Sequence, residues 1–389
     1  MSLVADASDD LGRSDVTASA VRAPIALERV TGEEWDRTIG AFDEVCQEQL
    51  YAFAKSRWPT VEHEPLILRD GGEVIGGCLM MIQRLPLGVA GVAIAKWGPI
   101  LAKVGRPDAA LIYDRIIDAL IAEYATRRRL MISIWPNADI GIRNRQYEQL
   151  IARGFKEGAK LLFPNRYIVK LGLSDAEQRK SLHQKWRYHL NKADKAGLTF
   201  EHGGADRIGE FDVLYHAMTD RKRFADHSAY HTVPALMAAE DPELRPELFF
   251  VRHEGEVVAG ALIFTAGDRA VYLYGATNDK ALPLRAGYFL HWHIIRWLRD
   301  NTRATGYDLG GTDGFHGLHQ FKKGMVGDAG VISPVPPVAN FASYRLPFFI
   351  GTTAYALRDA VQKARRWVDE HSGRWARRDQ APHQGAGED

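Results

Sequence analysis

The sequence predicts a mixed α/β protein made of two consecutive, similar units, each a twisted mixed sheet flanked by helices. Three observations lead there. Short apolar runs of strand length alternate with longer stretches of helical periodicity along most of the chain. Two hairpin tips, Asp70-Gly71-Gly72 and Glu254-Gly255, each separate a pair of strand-like runs. Residues 69–79 (RDGGEVIGGCL) also align without gaps to residues 252–262 (RHEGEVVAGAL), with Arg, Gly, Glu, Val, Gly and Leu recurring in place. A length of 389 residues suits two domains.

The first unit is expected over residues 24–173, after a disordered tail at 1–23 that is rich in Asp, Ser and Ala. Ile25-Ala26-Leu27 reads as the opening strand, and Gly32–Ile39, with acids in its first turn, as a helix. The stretch Phe42–Arg57 carries Gln47, Tyr51 and Lys55 four apart, which stacks them on one face if the stretch is helical. The hairpin strands are 65–69 and 74–83. Val89–Trp97 is a further strand, Asp108–Thr126 an amphipathic helix, and Leu130–Trp135 a buried strand. Tyr147–Arg153 is a short helix stopped by Gly154, and Arg166–Leu171 closes the unit.

The second unit is expected over 174–345. Ser174-Asp175-Ala176-Glu177 is a capping box opening one long helix to Gly197, with Arg179, Lys180, Lys185, Arg187, Lys192 and Lys195 along it. Such a run is either a solvated face or a phosphate or RNA contact. Leu198–Glu201 is a strand and Phe211–Arg223 a helix ending in clustered arginines. Strands at 248–252 and 257–266 form the second hairpin. In the strand Ala270–Ala276, simple alternation places Tyr272 and Tyr274 on one face. The helix Tyr288–Asn301 holds His291 and His293, whose spacing is wrong for a metal pair. A helical extension at 346–372 and a disordered tail at 373–389 follow. Its Phe348-Phe349-Ile350 cluster either meets a membrane surface or packs on the second unit.

Composition narrows the function. A net charge of +1 gives no global field for nucleic acid, so any RNA contact must be local. Cys46 and Cys78 have no metal-ligand spacing and read as two reduced thiols. There is no apolar run of about 18 residues, and the acidic opening has no apolar signal core, so a cytoplasmic protein is expected.

The densest functional signal is residues 306–328, GYDLGGTDGFHGLHQFKKGMVGD. A short strand runs into Gly310-Gly311, where a second backbone or a ligand can approach closely. A polar loop then leads to Phe321-Lys322-Lys323-Gly324. Its lysine is either a handle for developing negative charge or a solvated surface residue. Asp308 is either a proton acceptor, together with Asp313, or an anchor for the glycine turn.

The pattern DLGG, GL, FKxG, together with WRxxxxKAxKxG from Trp186 to Gly197, resembles the Fem-type peptidyltransferases. These are tandem GNAT-like, aminoacyl-tRNA-dependent enzymes that extend the peptidoglycan peptide stem, and the resemblance covers about residues 25–345. It implies an armless tandem GNAT pair acting as an aminoacyltransferase. The implied partners are aminoacyl-tRNA and a nucleotide- or lipid-linked peptidoglycan precursor, and a monomer is expected. It further implies that Lys322 stabilises the tetrahedral oxyanion while Phe321 shapes the channel. The implied substrate contacts are Tyr51 and Lys55, Arg187, Arg221 (or Arg223), Tyr230 and Tyr274. No cofactor or metal is expected. The phosphate-binding loop of acetyl-CoA enzymes is degraded in both copies, at Ala102–Asp108 and at Pro283–Tyr288. Two alternatives remain open: a CoA-dependent N-acyltransferase that has kept Arg285 and Gly287, and a non-catalytic binding module.

Overall fold

The computed structural model describes residues 26–84, 91–141, 143–222, 229–357, 360–361 and 364. The strands in chain order are β1 (Ala26–Arg29), β2 (Glu62–Asp70), β3 (Glu73–Arg84), β4 (Gly91–Lys96), β5 (Ile100–Leu101), β6 (Met131–Trp135), β7 (Lys156–Glu157), β8 (Asn165–Lys170), β9 (Leu198–Gly203), β10 (Glu247–His253), β11 (Glu256–Phe264), β12 (Arg269–Thr277), β13 (Gly306–Asp308), β14 (Val331–Pro334) and β15 (Ala339–Phe341). The helices are α1 (Gly32–Ile39), α2 (Tyr51–Arg57), α3 (Ala109–Leu120), α4 (Arg145–Ala152), α5 (Asp175–Ser181), α6 (Gln184–Ala193), α7 (Ile208–Lys222), α8 (Val233–Met237), α9 (Ala281–Leu284), α10 (Ala286–Asn301) and α11 (His316–Val326). The expected tails and most of the last helix lie outside the described residues.

Two mixed sheets result. One runs β1-β2-β3-β4-β6-β15-β7, with β5 on β3; the other runs β14-β8-β13-β12-β11-β10-β9. The repeat seen in the sequence is a structural repeat. Both hairpins carry a bulge at the same point, between Leu68 and Arg69 and between Val251 and Arg252. Each bulged arginine then makes the same bonds. Arg69 reaches Gly72 O (3.2 Å) and Glu28 on β1, and Arg252 reaches Gly255 O (3.1 Å) and Glu201 on β9. A shared bulge with shared side-chain closure is a designed feature of both copies.

The two sheets exchange strands. β8, expected to close the first unit, instead pairs antiparallel with β13 in the second sheet. β15, from the end of the second unit, pairs antiparallel with β6 in the first. The boundary at 173–174 therefore divides the chain but not the sheets. A core of Trp35, Ile39, Phe53, Leu236, Leu244, Phe264 and Val271 also joins the halves. Arg303 clamps it by donating to Gly40 O, Phe42 O (both 2.8 Å) and Ala266 O (2.7 Å).

Four expectations about helical segments are corrected. The Gln47–Tyr51–Lys55 face is interrupted, because Gln47–Gln49 is a separate 3-10 turn and Leu50 is extended. The long basic helix from Ser174 is two helices parted at Leu182-His183, although its capping box forms as read. The polar loop ahead of Lys322 winds into α11 at His316. The segment after β15 is helical over 345–357 and lies on the first unit, not the second. A Cβ on Gly351 would fall 2.4 Å from Met131, and Arg129 covers the Tyr344 ring. Among the described residues no helix is long and apolar enough to cross a membrane.

Candidate active site

β12 and β13 run parallel and pair over three positions, ending at Val271 and Asp308. Beyond that point they diverge. β12 continues to Thr277, while the chain after β13 turns at Gly310, whose φ of +75° favours glycine. The register of β12 against β11 also slips, since Leu262 faces Tyr274 but Ile263 faces Tyr272. Leu273 is the extra residue of this bulge, and the slip reverses the alternation. Tyr272 packs on the core beneath α10, whereas Tyr274 packs on the opposite face with α7. The expectation that the two rings share a face is thereby overturned, because a bulge re-aims the side chains after it.

The divergence opens a cavity of about 270 Å³. Its walls are Tyr272, Leu273 and Tyr274 on one strand edge and Leu309, Gly310 and Gly311 on the other, with Gln47, Glu48 and Phe53 contributed by the first half. Lys322 lies in this lining at 6% exposure. α11 presents it backwards under the glycine turn, and its ammonium donates to Leu309 O (2.5 Å) and Gly311 O (2.6 Å). An ammonium has three N–H groups, so one remains for a cavity occupant. Burial, then the positive Arg166, hold Lys322 down to about 8, against the opposing pull of Asp308 and Asp313.

Asp308 is an anchor. It is 1% exposed, and both oxygens are taken by Arg166 (Nε at 3.1 Å to each, Nη2 at 3.0 Å). The Gly310 N–H adds a bond of 2.8 Å to Oδ1. The carboxylate thus ties the exchanged strand β8 to the glycine turn. Arg166 also lies in the cavity lining and over the ring of Trp97 (5.9 Å), which stacks on Trp135 (5.5 Å). Sequence reading missed Arg166. Its one signal was that an acid in a buried strand needs a cation, and that cation is 142 residues away in the chain.

Phe321 does not shape this cavity. Its ring packs on Trp186 (6.0 Å), Tyr288 (5.0 Å) and His291 (5.6 Å) in the core of the second unit. Arg187 is also structural, since its guanidinium donates to Lys180 O (2.9 Å) and Leu182 O and so caps the end of α5. Tyr274 does line the cavity. Tyr230 sits one ring behind it, stacked on Tyr215 (3.7 Å) and edge-on to Tyr274 (5.1 Å), with its hydroxyl donating to Asp212 (2.5 Å). Tyr51 and Lys55 are outside the lining, with Lys55 exposed on α2 and the Tyr51 ring edge-on to His63 (6.0 Å). The side chain of Arg221, and all of Arg223, lie outside the described residues.

Besides Arg166, the first half contributes Gln47 and Glu48 as polar groups of the lining. Gln47 Oε1 is buried without a hydrogen-bond partner among the described residues, and Glu48 pairs with Lys96 (2.9 Å). Among the described residues, Glu48 is the carboxylate of the lining.

The FemAB family profile matches residues 66–232, and that of the acetyltransferase (GNAT) domain matches residues 177–323. The lipid II:glycine glycyltransferase of Staphylococcus aureus is 34% identical over 77 residues, which is 18% of this chain and 18% of that protein. The chain thus aligns with less than a fifth of the length of such relatives. A crystal structure of FemX superposes with a TM-score of 0.64 at 19% identity, over 82% of this chain and 97% of that one. L-PGS from Bacillus licheniformis superposes at 0.52 and 13% identity, over 84% and 96%. These superpositions carry the fold across both halves.

Proposed function

The chain is a Fem-type tandem GNAT protein, and from that premise we propose that it is an aminoacyltransferase. In this reading it moves an amino acid from aminoacyl-tRNA to an amine of a peptidoglycan precursor. The observation that carries the reading is the buried Lys322 ammonium, held by two carbonyls in a cavity that both halves wall. The acceptor amine attacks the ester carbonyl, a C–N bond forms, and the carbonyl oxygen becomes an oxyanion. The free N–H of Lys322 meets that charge in a water-poor site, where a fixed donor is worth most. Collapse of the intermediate breaks the C–O bond, and the ribose oxygen leaves as a hydroxyl carrying the proton that the amine gave up, relayed by the carboxylate that accepts it. Asp308 has both oxygens engaged by Arg166 and Gly310, whereas Lys96 pairs with Oε2 of Glu48, so the proton shed by the amine goes to Oε1 of Glu48. The direct test supplies tRNA charged with labelled amino acids to the purified protein with nucleotide- and lipid-linked precursors. Label in neither precursor, alongside acyl transfer from acetyl-CoA, would overturn the reading.

Two expected results follow from the lining. Glu48→Gln should lower kcat by about tenfold to a hundredfold, in the range of general acid–base catalysis; an unchanged kcat removes Glu48 from the proton path. The pH–rate profile should fall above pH about 8, where Lys322 loses its proton. The linkage sign for stability is opposite. The unfolded lysine keeps its proton up to about 10.5, so the penalty for burying Lys322 is full below pH 8 and is relieved between 8 and 10.5. A kcat that stays flat from pH 7 to 10 would contradict an ammonium role.

A further inference from the structure

A second cavity, of about 310 Å³, lies where the ends of β4 and β6 meet the first turns of α3 and α4. Among the described residues it shares only Val271 with the lining of the Lys322 cavity. In a GNAT unit without acids, the α3 terminus would suit an anion. Here the walls carry Glu44, Asp139 and Asp268, with Arg269 beside them and the exposed Arg145 at the rim. Arg269 is partly spent, because Nη1 donates to Ala138 O (2.7 Å). Glu44 is locked in place, with Oε2 accepting from the Leu101 N–H (2.7 Å) and Oε1 from Gln146 Nε2 (2.8 Å). Each oxygen retains acceptor capacity.

An independent observation points to an occupant. Tyr113, on α3, is 1% exposed and lines this cavity, and its hydroxyl has no hydrogen-bond partner among the described residues. A buried hydroxyl left unpaired is destabilising, and a ligand atom at that point removes the cost.

We propose that this cavity binds a small organic primary amine as its ammonium ion, held by Glu44, Asp268 and the Tyr113 hydroxyl, with its carbon body on Trp97 and Pro99. The acids select a cation over a phosphate, and the apolar wall selects an organic body over a hydrated metal ion. Burial, then the neighbouring Asp268, push the Glu44 carboxyl up to about 7 against the pull of Leu101, Arg269 and Gln146. A bound ammonium restores its ionised form.

The experiment is calorimetric titration of the full chain with n-butylamine, n-butanol, butyrate and acetyl-CoA. Saturable binding of butylamine alone, at one per chain, is expected, and it should persist in Lys322→Met. Glu44→Gln should weaken it about tenfold or more, as loss of a charged partner does. Tyr113→Phe, which removes one oxygen and no volume, should weaken it about threefold or more. Melting curves confirm that both variants fold, and Tyr113→Phe decides the matter if Glu44→Gln does not. The proposal is overturned if no amine binds, if butyrate or acetyl-CoA binds in preference, or if neither variant changes the affinity.

Discussion

Replacing Lys322 with methionine is expected to lower kcat for the proposed transfer by about 10²–10³, with KM changed little. Methionine keeps the unbranched length of the side chain and removes the charge, so the packing beneath Gly310 survives. What is lost is the one N–H left over once Leu309 O and Gly311 O are served. That donor meets little charge on a ground-state ester and full charge on the tetrahedral oxyanion, so the loss falls on kcat. Arginine should not rescue, because its planar fork cannot replace a point charge that is 6% exposed and held between two carbonyls. Steady-state kinetics with charged tRNA make the measurement. A variant whose kcat stays within twofold of the parent's would remove Lys322 from the chemistry.

Arg166→Ala is expected to cost about 3–5 kcal/mol of stability, the scale for stripping one partner from a buried ion pair. The change leaves the 1%-exposed Asp308 carboxylate with only the Gly310 N–H. It also cuts the tie between β8 and the glycine turn, and it removes a positive charge that holds Lys322 down. Lys322 should then titrate higher, and the alkaline limb of the pH–rate profile should move up with it. The double change Arg166→Ala with Asp308→Asn should recover part of the stability, because no unpaired charge remains. Denaturant unfolding of the single and double variants tests this. Additive losses in the double variant would show that the pair is not what holds the turn.

The hairpin repeat was legible from sequence because bulge, glycine tip and arginine are all local: Arg69 bonds a carbonyl three residues on, and Arg252 does the same. Lys322 was legible because a glycine turn and a nearby cation are also local features. Phe321, its neighbour, was misread. On a loop, adjacent residues can line one channel, but on α11 they diverge, and Phe321 turns to Trp186 and Tyr288. The break at Leu182 was invisible because the helical pattern runs straight through it. The break is made by contacts from elsewhere, where the His183 N–H finds Gly324 O (3.0 Å) and Arg187 closes the end of α5.

The sequence by itself determined the two copies, their hairpins, most strand and helix positions, and the lysine beside a glycine turn. Each depends on residues within one or two turns of one another, and such patterns survive in a linear string. Only the tertiary structure decided which strands completed which sheet and that Arg166 would neutralise Asp308. It likewise turned Tyr272 and Tyr274 to opposite faces and brought Gln47 and Glu48 to the cavity. The turn of the two tyrosines depends on a bulge against the neighbouring strand β11, and the strand exchange and the Arg166 pairing depend on where buried charge and unpaired strand edges find partners more than a hundred residues away in the chain.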